Sequence, residues 1–244
     1  TTRALTDLHN NPALASWRGI IARVLAAQAQ RRREAAFQYP EVTQVVATLR
    51  GGQPSNAADL QALLIDYLHT ISEELRHGPT DGYKTFWNVD PHGRPTKPRP
   101  ENDCRDRLLD LIRPRLLRVG VNAEPEGHYA QDKRADIKTL FGSMNIPIEI
   151  KRHYHPDLWT APIEQLQKLY ARDPGTQGRG IYLIFWFGIK ARKVQKPPKG
   201  IARPTTLTEL HASLQNIIPE QDRILIEIII LDCSSILARH KILK

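Results

Sequence analysis

Two acids and a lysine within residues 132–152 have the types and spacing to do chemistry. Asp136 lies inside one short apolar run, and Glu149 lies two residues before Lys151 in a second run. The second run alternates apolar and polar residues with period two, which predicts a half-buried strand with Glu149 and Lys151 on one face. Neighbouring carboxylates repel each other unless a cation joins them, and a hard divalent ion such as Mg²⁺ meets that need.

A Gly-Ser turn at 142–143 separates the two runs, so we expect them to pair as a hairpin. The hairpin would bring Asp136 alongside Glu149, and the backbone carbonyl of Ile150 would lie close enough to add a further oxygen ligand. Lys151 could orient or deprotonate an attacking water and hold a scissile phosphate. A phosphodiester is the natural substrate for this set of residues beside a metal ion in a basic protein.

The elements that must position these residues follow from hydrophobic periodicity. After residue 101 the pattern predicts a helix, three strands, a helix, a strand, a helix and a strand. Amphipathic helices are expected at 162–172 and after a cap at Thr206 or Thr208, and buried strands at 181–188 and 224–231. This alternation predicts an α/β fold with a mixed central sheet flanked by helices.

The first 78 residues are predicted to be all-helical. Helices are expected at 12–36 and 40–49, and a third is expected to begin after Ser55 or Asn56 and to end at Gly78. The next segment is rich in Pro and Gly, which excludes a helix and indicates a linker. Tyr83, Phe86 and Trp87 are expected to anchor it by packing, with stacking on a nucleic-acid base as the alternative. The expected parts are a helical region at 1–78, a linker at 79–100 and an α/β domain at 101–244.

The chain has 35 Lys and Arg residues against 26 Asp and Glu, a formal charge of +9. A polyanionic partner and solubility through net charge are both consistent with this excess. No apolar run reaches the roughly 18 residues needed to cross a membrane, so we expect no membrane partner. The two cysteines lack a metal-binding spacing, which argues against a disulfide scaffold or a structural zinc site and predicts a cytoplasmic protein.

The acid, the hairpin and the lysine together resemble the PD-(D/E)xK nuclease superfamily. The motif consists of Asp136, then Glu149, Ile150 and Lys151 on the next strand, after a helix that begins at Glu101. The order helix, three strands, helix, strand is also similar to that superfamily's core. The resemblance covers about residues 101–188, and Ala135 stands where the family's name has a proline.

The resemblance implies a restriction-endonuclease-like core and a Mg²⁺-dependent endonuclease, with Mn²⁺ as an alternative ion. Asp136 and Glu149 would be metal ligands and Lys151 the catalytic lysine. Glu101 would match the acid on the first core helix, and Gln165 would match the glutamine on the helix that follows the lysine strand. DNA is the expected substrate, and an effector in antiviral defence or restriction is the expected setting.

Six residues near the motif or in basic stretches are candidate nucleic-acid contacts: Arg134, Arg152, His153, Lys190, Arg192 and Lys193. Each has an ordinary alternative. Arg134 could simply pair with Glu149, and the basic loop at 190–203 could serve only solubility. The His-x-His pair at 153 and 155 could bind zinc or position a phosphate, or it could be part of an ordinary polar loop.

Two other functions remain open at this stage. The chain could be a non-catalytic nucleic-acid-binding module on the same fold, or a protein-interaction module whose helical N-terminal region docks a partner. The protein could also form a homodimer. Binding to DNA that weakens steeply with salt but does not need the acids would favour the first alternative.

Overall fold

The structure is a computed structural model that describes residues 2–17, 20, 21, 24, 28, 31, 42, 46, 52–129, 133–171 and 173–235. The chain forms two compact units, Thr1–Val45 and Val46–Lys244. Within the first unit, helix α1 (Thr2–Asn10) is followed by a 3-10 segment (Pro12–Trp17). The fold of the second unit positions the acids and the lysine.

The first unit differs from the sequence-based expectation. Helix α1 was not predicted, because its few apolar residues do not form a long periodic stripe. An α-helix was expected to begin at residue 12, but Leu14 has a non-helical φ of −107° and the segment is 3-10 helical. Most of the remainder of the helix predicted at 12–36, and most of the one predicted at 40–49, lies outside the described residues.

The second unit is built on a five-stranded mixed sheet. The strands of the unit are β1 (Trp87–Val89), β2 (Pro95–Pro98), β3 (Asn122–Tyr129), β4 (Lys133–Phe141), β5 (Met144–Arg152), β6 (Gly180–Trp186) and β7 (Ile226–Asp232). β1 and β2 form a separate hairpin, and the large sheet has the order β3-β4-β5-β6-β7. β3, β4 and β5 are antiparallel neighbours, whereas β5, β6 and β7 run parallel. The predicted α/β class with a mixed central sheet is confirmed.

Helices cover both faces of this sheet. They are α2 (Ala57–His77), α3 (Glu101–Leu117), a π-helix (Pro162–Tyr170) and α4 (Leu207–Ile217), with 3-10 segments at Gly82–Phe86, Pro174–Thr176 and Glu220–Asp222. One apolar core lies between the sheet and α2 with α3, and the other lies between the sheet and the π-helix with α4. Parallel strands need such cover on both faces, and β6 is buried throughout. None of the described helices is both long enough and apolar enough to span a lipid bilayer.

Helix α2 begins as the sequence predicts and packs directly on the sheet. The side chain of Asn56 accepts a hydrogen bond from the Asp59 amide at 2.9 Å and caps the helix. The buried stripe of α2 joins the same core as the strands. The side-chain amide of Gln61 donates hydrogen bonds to the backbone carbonyls of Gly180 and Leu225. These bonds connect α2 to the start of β6 and to the residue before β7. Helix α2 therefore belongs to the second unit, whereas the sequence placed it in a separate helical region.

The Pro/Gly-rich segment before α3 is ordered by its aromatic side chains. Tyr83, Phe86 and Trp87 are all buried, and the indole N–H of Trp87 donates to the carbonyl of Cys233 at 2.7 Å. Phe86 lies against Phe185 of β6, with ring centroids 4.9 Å apart. These contacts confirm that the aromatic residues anchor the segment by packing on the sheet.

Candidate active site

The hairpin formed by β4 and β5 brings the two predicted acids together. Ile137 pairs with Ile148, so Asp136 and Glu149 are the next residues along the two antiparallel strands. The turn passes through Gly142, whose φ of +58° is readily adopted only by a residue without a Cβ. The predicted hairpin and its Gly-Ser turn are confirmed.

The Lys151 ammonium lies among three carboxylates. Its Nζ is 2.5 Å from Glu149 Oε1, 3.7 Å from Glu101 Oε1 and 3.8 Å from Asp136 Oδ2. Nζ also donates to the backbone carbonyl of Ile150 at 2.8 Å. One cation therefore contacts every acidic residue that the sequence predicts for the site, together with the predicted carbonyl.

Backbone amides fix two of the carboxylates. Asp136 Oδ2 accepts a hydrogen bond from the Ile150 amide at 2.7 Å, and Glu101 Oε2 accepts one from the Arg152 amide at 3.0 Å. Glu101 is the first residue of α3, and its side chain reaches the end of β5. Strand β5 thus supplies Glu149, Lys151 and both amides. The site therefore depends on how β5 is aligned with its neighbour β4.

Burial dominates the electrostatics of this cluster. Glu149 is 3% exposed and Lys151 is 5% exposed. Burial raises the pKa of the Glu149 carboxyl, and the nearby charge of Asp136 raises it further, although Lys151 opposes both effects. For Lys151, burial lowers the pKa, but the charges of Glu149, Asp136 and Glu101 outweigh it and the pKa is raised. Lys151 therefore stays protonated, while Glu149 holds its proton more tightly than an ordinary glutamate.

The π-helix covers the same side of the sheet. Gln165 lies half-buried on this helix, and its side chain makes no hydrogen bond to the described residues. Tyr170 lies at the end of the helix, and its phenol pKa is raised by burial and by the charges of Glu149 and Asp136. Tyr170 is not among the site residues predicted from the sequence, so its closeness to the carboxylates is new.

Residues 61–189 match a family described as Domain of unknown function (DUF8371). The matched segment covers just over half of the chain. This chain belongs to the DUF8371 family. The match runs from α2 to just beyond β6 and includes Glu101, Asp136, Glu149, Lys151 and Gln165. No curated protein and no solved structure matches the chain significantly.

The candidate nucleic-acid contacts of this DUF8371 protein differ in exposure. Lys190, Arg192 and Lys193 are exposed on the segment that follows β6. Arg152 is partly buried at the end of β5, with its Nε 3.9 Å from Glu101 Oε2. Arg134 lies on β4, but its side chain is outside the part of the structure that is described.

His153 is not available for nucleic acid, so the sequence-based assignment of this residue is wrong. The residue is fully buried, and its Nε2 lies 2.8 Å from the Arg192 carbonyl while Nδ1 lies 3.3 Å from the Phe187 amide. Burial lowers the pKa of the imidazole, which favours the neutral form with the proton on Nε2. His155 instead lies 3.9 Å from Glu101, so the two histidines do not act as a pair.

The donor set fits a hard divalent ion by its chemistry. Within the part of the chain that the structure describes, no three Asp, Glu, His or Cys side chains form a ready-made metal cluster, and the Lys151 ammonium lies between the carboxylates. Asp136, Glu149 and the Ile150 carbonyl supply only oxygen atoms, which are the ligands that Mg²⁺ and Mn²⁺ prefer. Three carboxylates surround Lys151, so a further cation would relieve the excess of negative charge.

Proposed function

We propose that this protein is a metal-dependent endonuclease that hydrolyses phosphodiester bonds, with DNA as its substrate. The observation that carries the proposal is the Lys151 ammonium within 4 Å of Asp136, Glu149 and Glu101. An apolar core alone would not bring three acids from a helix and two strands around one buried lysine. The resemblance to PD-(D/E)xK nucleases supports the same conclusion from the order of the elements.

Asp136 and Glu149 would hold Mg²⁺, or Mn²⁺ in its place, with the Ile150 carbonyl as a further oxygen ligand. A bound divalent ion would supply Lewis-acid stabilisation of the charge that develops on the phosphate. The Ile150 amide keeps Asp136 in place, because Asp136 already accepts its hydrogen bond. The Arg152 amide does the same for Glu101.

Lys151 would position the reacting groups. Its ammonium has three N–H donors, and two of them are directed at Glu149 and the Ile150 carbonyl. The remaining donor can bind a phosphate oxygen or orient the attacking water. Gln165, on the π-helix over the site, would shape the access of substrate to this point.

The exposed cations would hold the nucleic-acid backbone. Lys190, Arg192 and Lys193 follow β6, and Arg152 lies beside the carboxylates, so a backbone that crosses the site would pass near both groups. Contacts of this kind follow phosphates without reading sequence. They are consistent with the formal charge of +9.

The proposal is tested by cleavage of supercoiled and linear plasmid DNA in Mg²⁺, Mn²⁺ or EDTA. We expect nicking or cutting with either metal, none in EDTA, and a loss of at least about a hundredfold for Asp136→Asn, because the ligand oxygen would lose its charge. Asp66→Asn is the matched control, since Asp66 is exposed on α2 and is not part of the carboxylate cluster. Cleavage that survives EDTA and Asp136→Asn would disprove the assignment.

A second function has one observation in its favour. The Lys151 ammonium beside Glu149 supplies positive charge at the site from within the chain, and a non-catalytic nucleic-acid-binding module could use that charge to contact phosphates. Such a module would bind DNA with a steep salt dependence, would not cleave it in any metal, and would bind equally well as Asp136→Asn.

A further inference from the structure

A cavity of about 910 Å³ lies at the carboxyl ends of the parallel strands β5, β6 and β7. It is bounded by β2 of the small hairpin on one side and by the segment after β6 and the start of α4 on the other. Ligands of open α/β sheets bind in crevices at the carboxyl ends of the strands. Asp136 and Glu149 do not line this cavity, so it is distinct from the carboxylate cluster.

The walls of the cavity are largely aromatic and apolar. Trp87, Trp186 and Phe187 line it together with Pro98 and Leu207. Both tryptophans and Phe187 are anchored in the core, which gives the cavity a rigid apolar wall. A wall of this kind suits a flat ring, because aromatic rings stack on one another and on apolar surfaces.

Two guanidinium groups share one tyrosine ring at the edge of the cavity. The Arg152 and Arg192 guanidinium carbons lie 5.0 and 5.2 Å from the centre of the Tyr154 ring. Lys97 and Lys190 also line the cavity, and the acid among the lining residues, Asp232, is paired with Arg76 at 3.2 Å. The cavity therefore combines an apolar wall with an excess of positive charge.

Both arginines have hydrogen-bond donors to spare. Arg152 Nε is buried without a hydrogen-bond partner, and Glu101 Oε2 lies 3.9 Å from it. The Arg192 side chain is exposed and makes no hydrogen bond or ion pair with the described residues. Both guanidinium groups line the cavity beside one tyrosine ring, so an anion between them would accept charge-assisted hydrogen bonds from their N–H groups.

We propose that this cavity binds a nucleotide, with its phosphates on Arg152 and Arg192 and its base against Trp87, Trp186 and Phe187. The volume is large enough for a nucleoside triphosphate. The nucleotide can be a free molecule or one unit of a nucleic-acid strand, since both present the same base and phosphate. Binding at this site needs neither the carboxylates nor a metal, although Arg152 and Arg192 are also among the candidate backbone contacts.

The cavity also lies next to the carboxylate cluster through Arg152. The amide of this residue holds Glu101, while its side chain lines the cavity. A ligand that binds the Arg152 side chain would therefore contact the same residue whose backbone amide positions Glu101.

The test is calorimetric titration of the full chain in EDTA, which removes cleavage from the measurement. The probes are the four common ribonucleoside triphosphates, a single-stranded DNA octanucleotide and inorganic tripolyphosphate. We expect at least one nucleoside triphosphate or the octanucleotide to bind, and Arg192→Ala to weaken that binding about tenfold. Arg118→Ala is the matched control, because Arg118 is exposed, does not line the cavity and is not among the candidate nucleic-acid contacts.

Each outcome has a defined meaning. A nucleoside triphosphate that binds identifies a free nucleotide as the ligand, and binding by the octanucleotide alone identifies a strand. The proposal is overturned if none of the nucleotides binds, if tripolyphosphate binds as tightly as they do, or if Arg118→Ala weakens binding as much as Arg192→Ala. A protein that fails to cleave DNA but shows the expected titration would overturn the nuclease and leave this site intact.

Discussion

At the residue scale, the site depends on one lysine and three acids whose charges hold one another in place. The convergence of Asp136, Glu149 and Lys151 could be predicted, because a period-two strand and a Gly-Ser turn determine which side chains share a face. The reach of Glu101 from the start of α3 could be assigned only by resemblance, since it depends on tertiary packing.

Glu149 should make the stability of the protein depend on pH. Burial and the charge of Asp136 raise its pKa to about 8, so the folded state holds a proton that the unfolded chain releases from about pH 4.5. The carboxyl therefore costs no stability below that pH and destabilises the fold increasingly as the pH rises towards 8. Glu149→Gln should accordingly gain stability over the wild type across this window, which thermal unfolding at a series of pH values would measure.

The control for this prediction is Glu124→Gln, which removes an exposed carboxyl from β3, two strands away from Glu149 in the sheet. A difference between wild type and Glu149→Gln that stays constant from about pH 5 to about pH 8 would contradict the account.

The same carboxyl should set the pH dependence of metal binding. A ligand with a raised pKa must lose its proton before it can bind a cation, so protons compete with Mg²⁺ at Glu149. We expect the rise in Tm caused by millimolar Mg²⁺ to be larger at about pH 8.5 than at about pH 6.5, and to be absent in Asp136→Asn. An equal rise at both pH values would show that Glu149 is not a ligand.

At the element scale, strand β3 must come close to β4 near the site. A Cβ built on Gly127 would lie 2.0 Å from Lys138 Cβ, and the preceding residue, Glu126, has a φ of +50°. We expect Gly127→Ala to destabilise the fold by about 1–3 kcal/mol, because neither Cβ can move without the backbone. Urea unfolding would measure the change.

Lys138→Gly is the matched second change, since it removes the atom that the new methyl group would meet. The double variant should be more stable than the sum of the two single effects predicts, and strict additivity would show that the close approach is absent.

Sequence patterns predicted the elements more reliably than their detailed form. The strands at β5 and β6 and the cap at Thr206 were predicted because alternation, apolar runs and capping residues are local signals. The helix at Pro162–Tyr170 was predicted, but nine residues do not distinguish the period of a π-helix from that of an α-helix. The last strand begins two residues later than predicted, because Ile224 and Leu225 belong to the turn before it, where Ile224 is 77% exposed.

At the scale of the whole molecule, tertiary packing decides what local patterns leave open. The residues that flank His153 in the sequence are mostly polar, so no local sequence pattern indicates that its ring is fully buried between backbone groups. In the same way, the amphipathic pattern of α2 does not reveal that its partner is a sheet formed by residues more than 40 positions later.

The position of α2 predicts how the chain can be shortened. Residues 46–244 should unfold cooperatively, whereas residues 79–244 should not, because removal of α2 would expose the apolar face of β5, β6 and β7. Thermal unfolding followed by circular dichroism would measure both chains. A cooperative transition for residues 79–244 would show that α2 is dispensable to the core.

The measurement that tests the central claim most directly is plasmid cleavage by wild type and Lys151→Met, side by side in Mg²⁺. Methionine keeps the length and apolar stem of the side chain but removes the charge that lies among Asp136, Glu149 and Glu101. Lys168→Met, which removes an exposed lysine from the π-helix, is the control. The account predicts metal-dependent cleavage by wild type and control and a loss of at least about a hundredfold in Lys151→Met. Equal cleavage by all three proteins would contradict it.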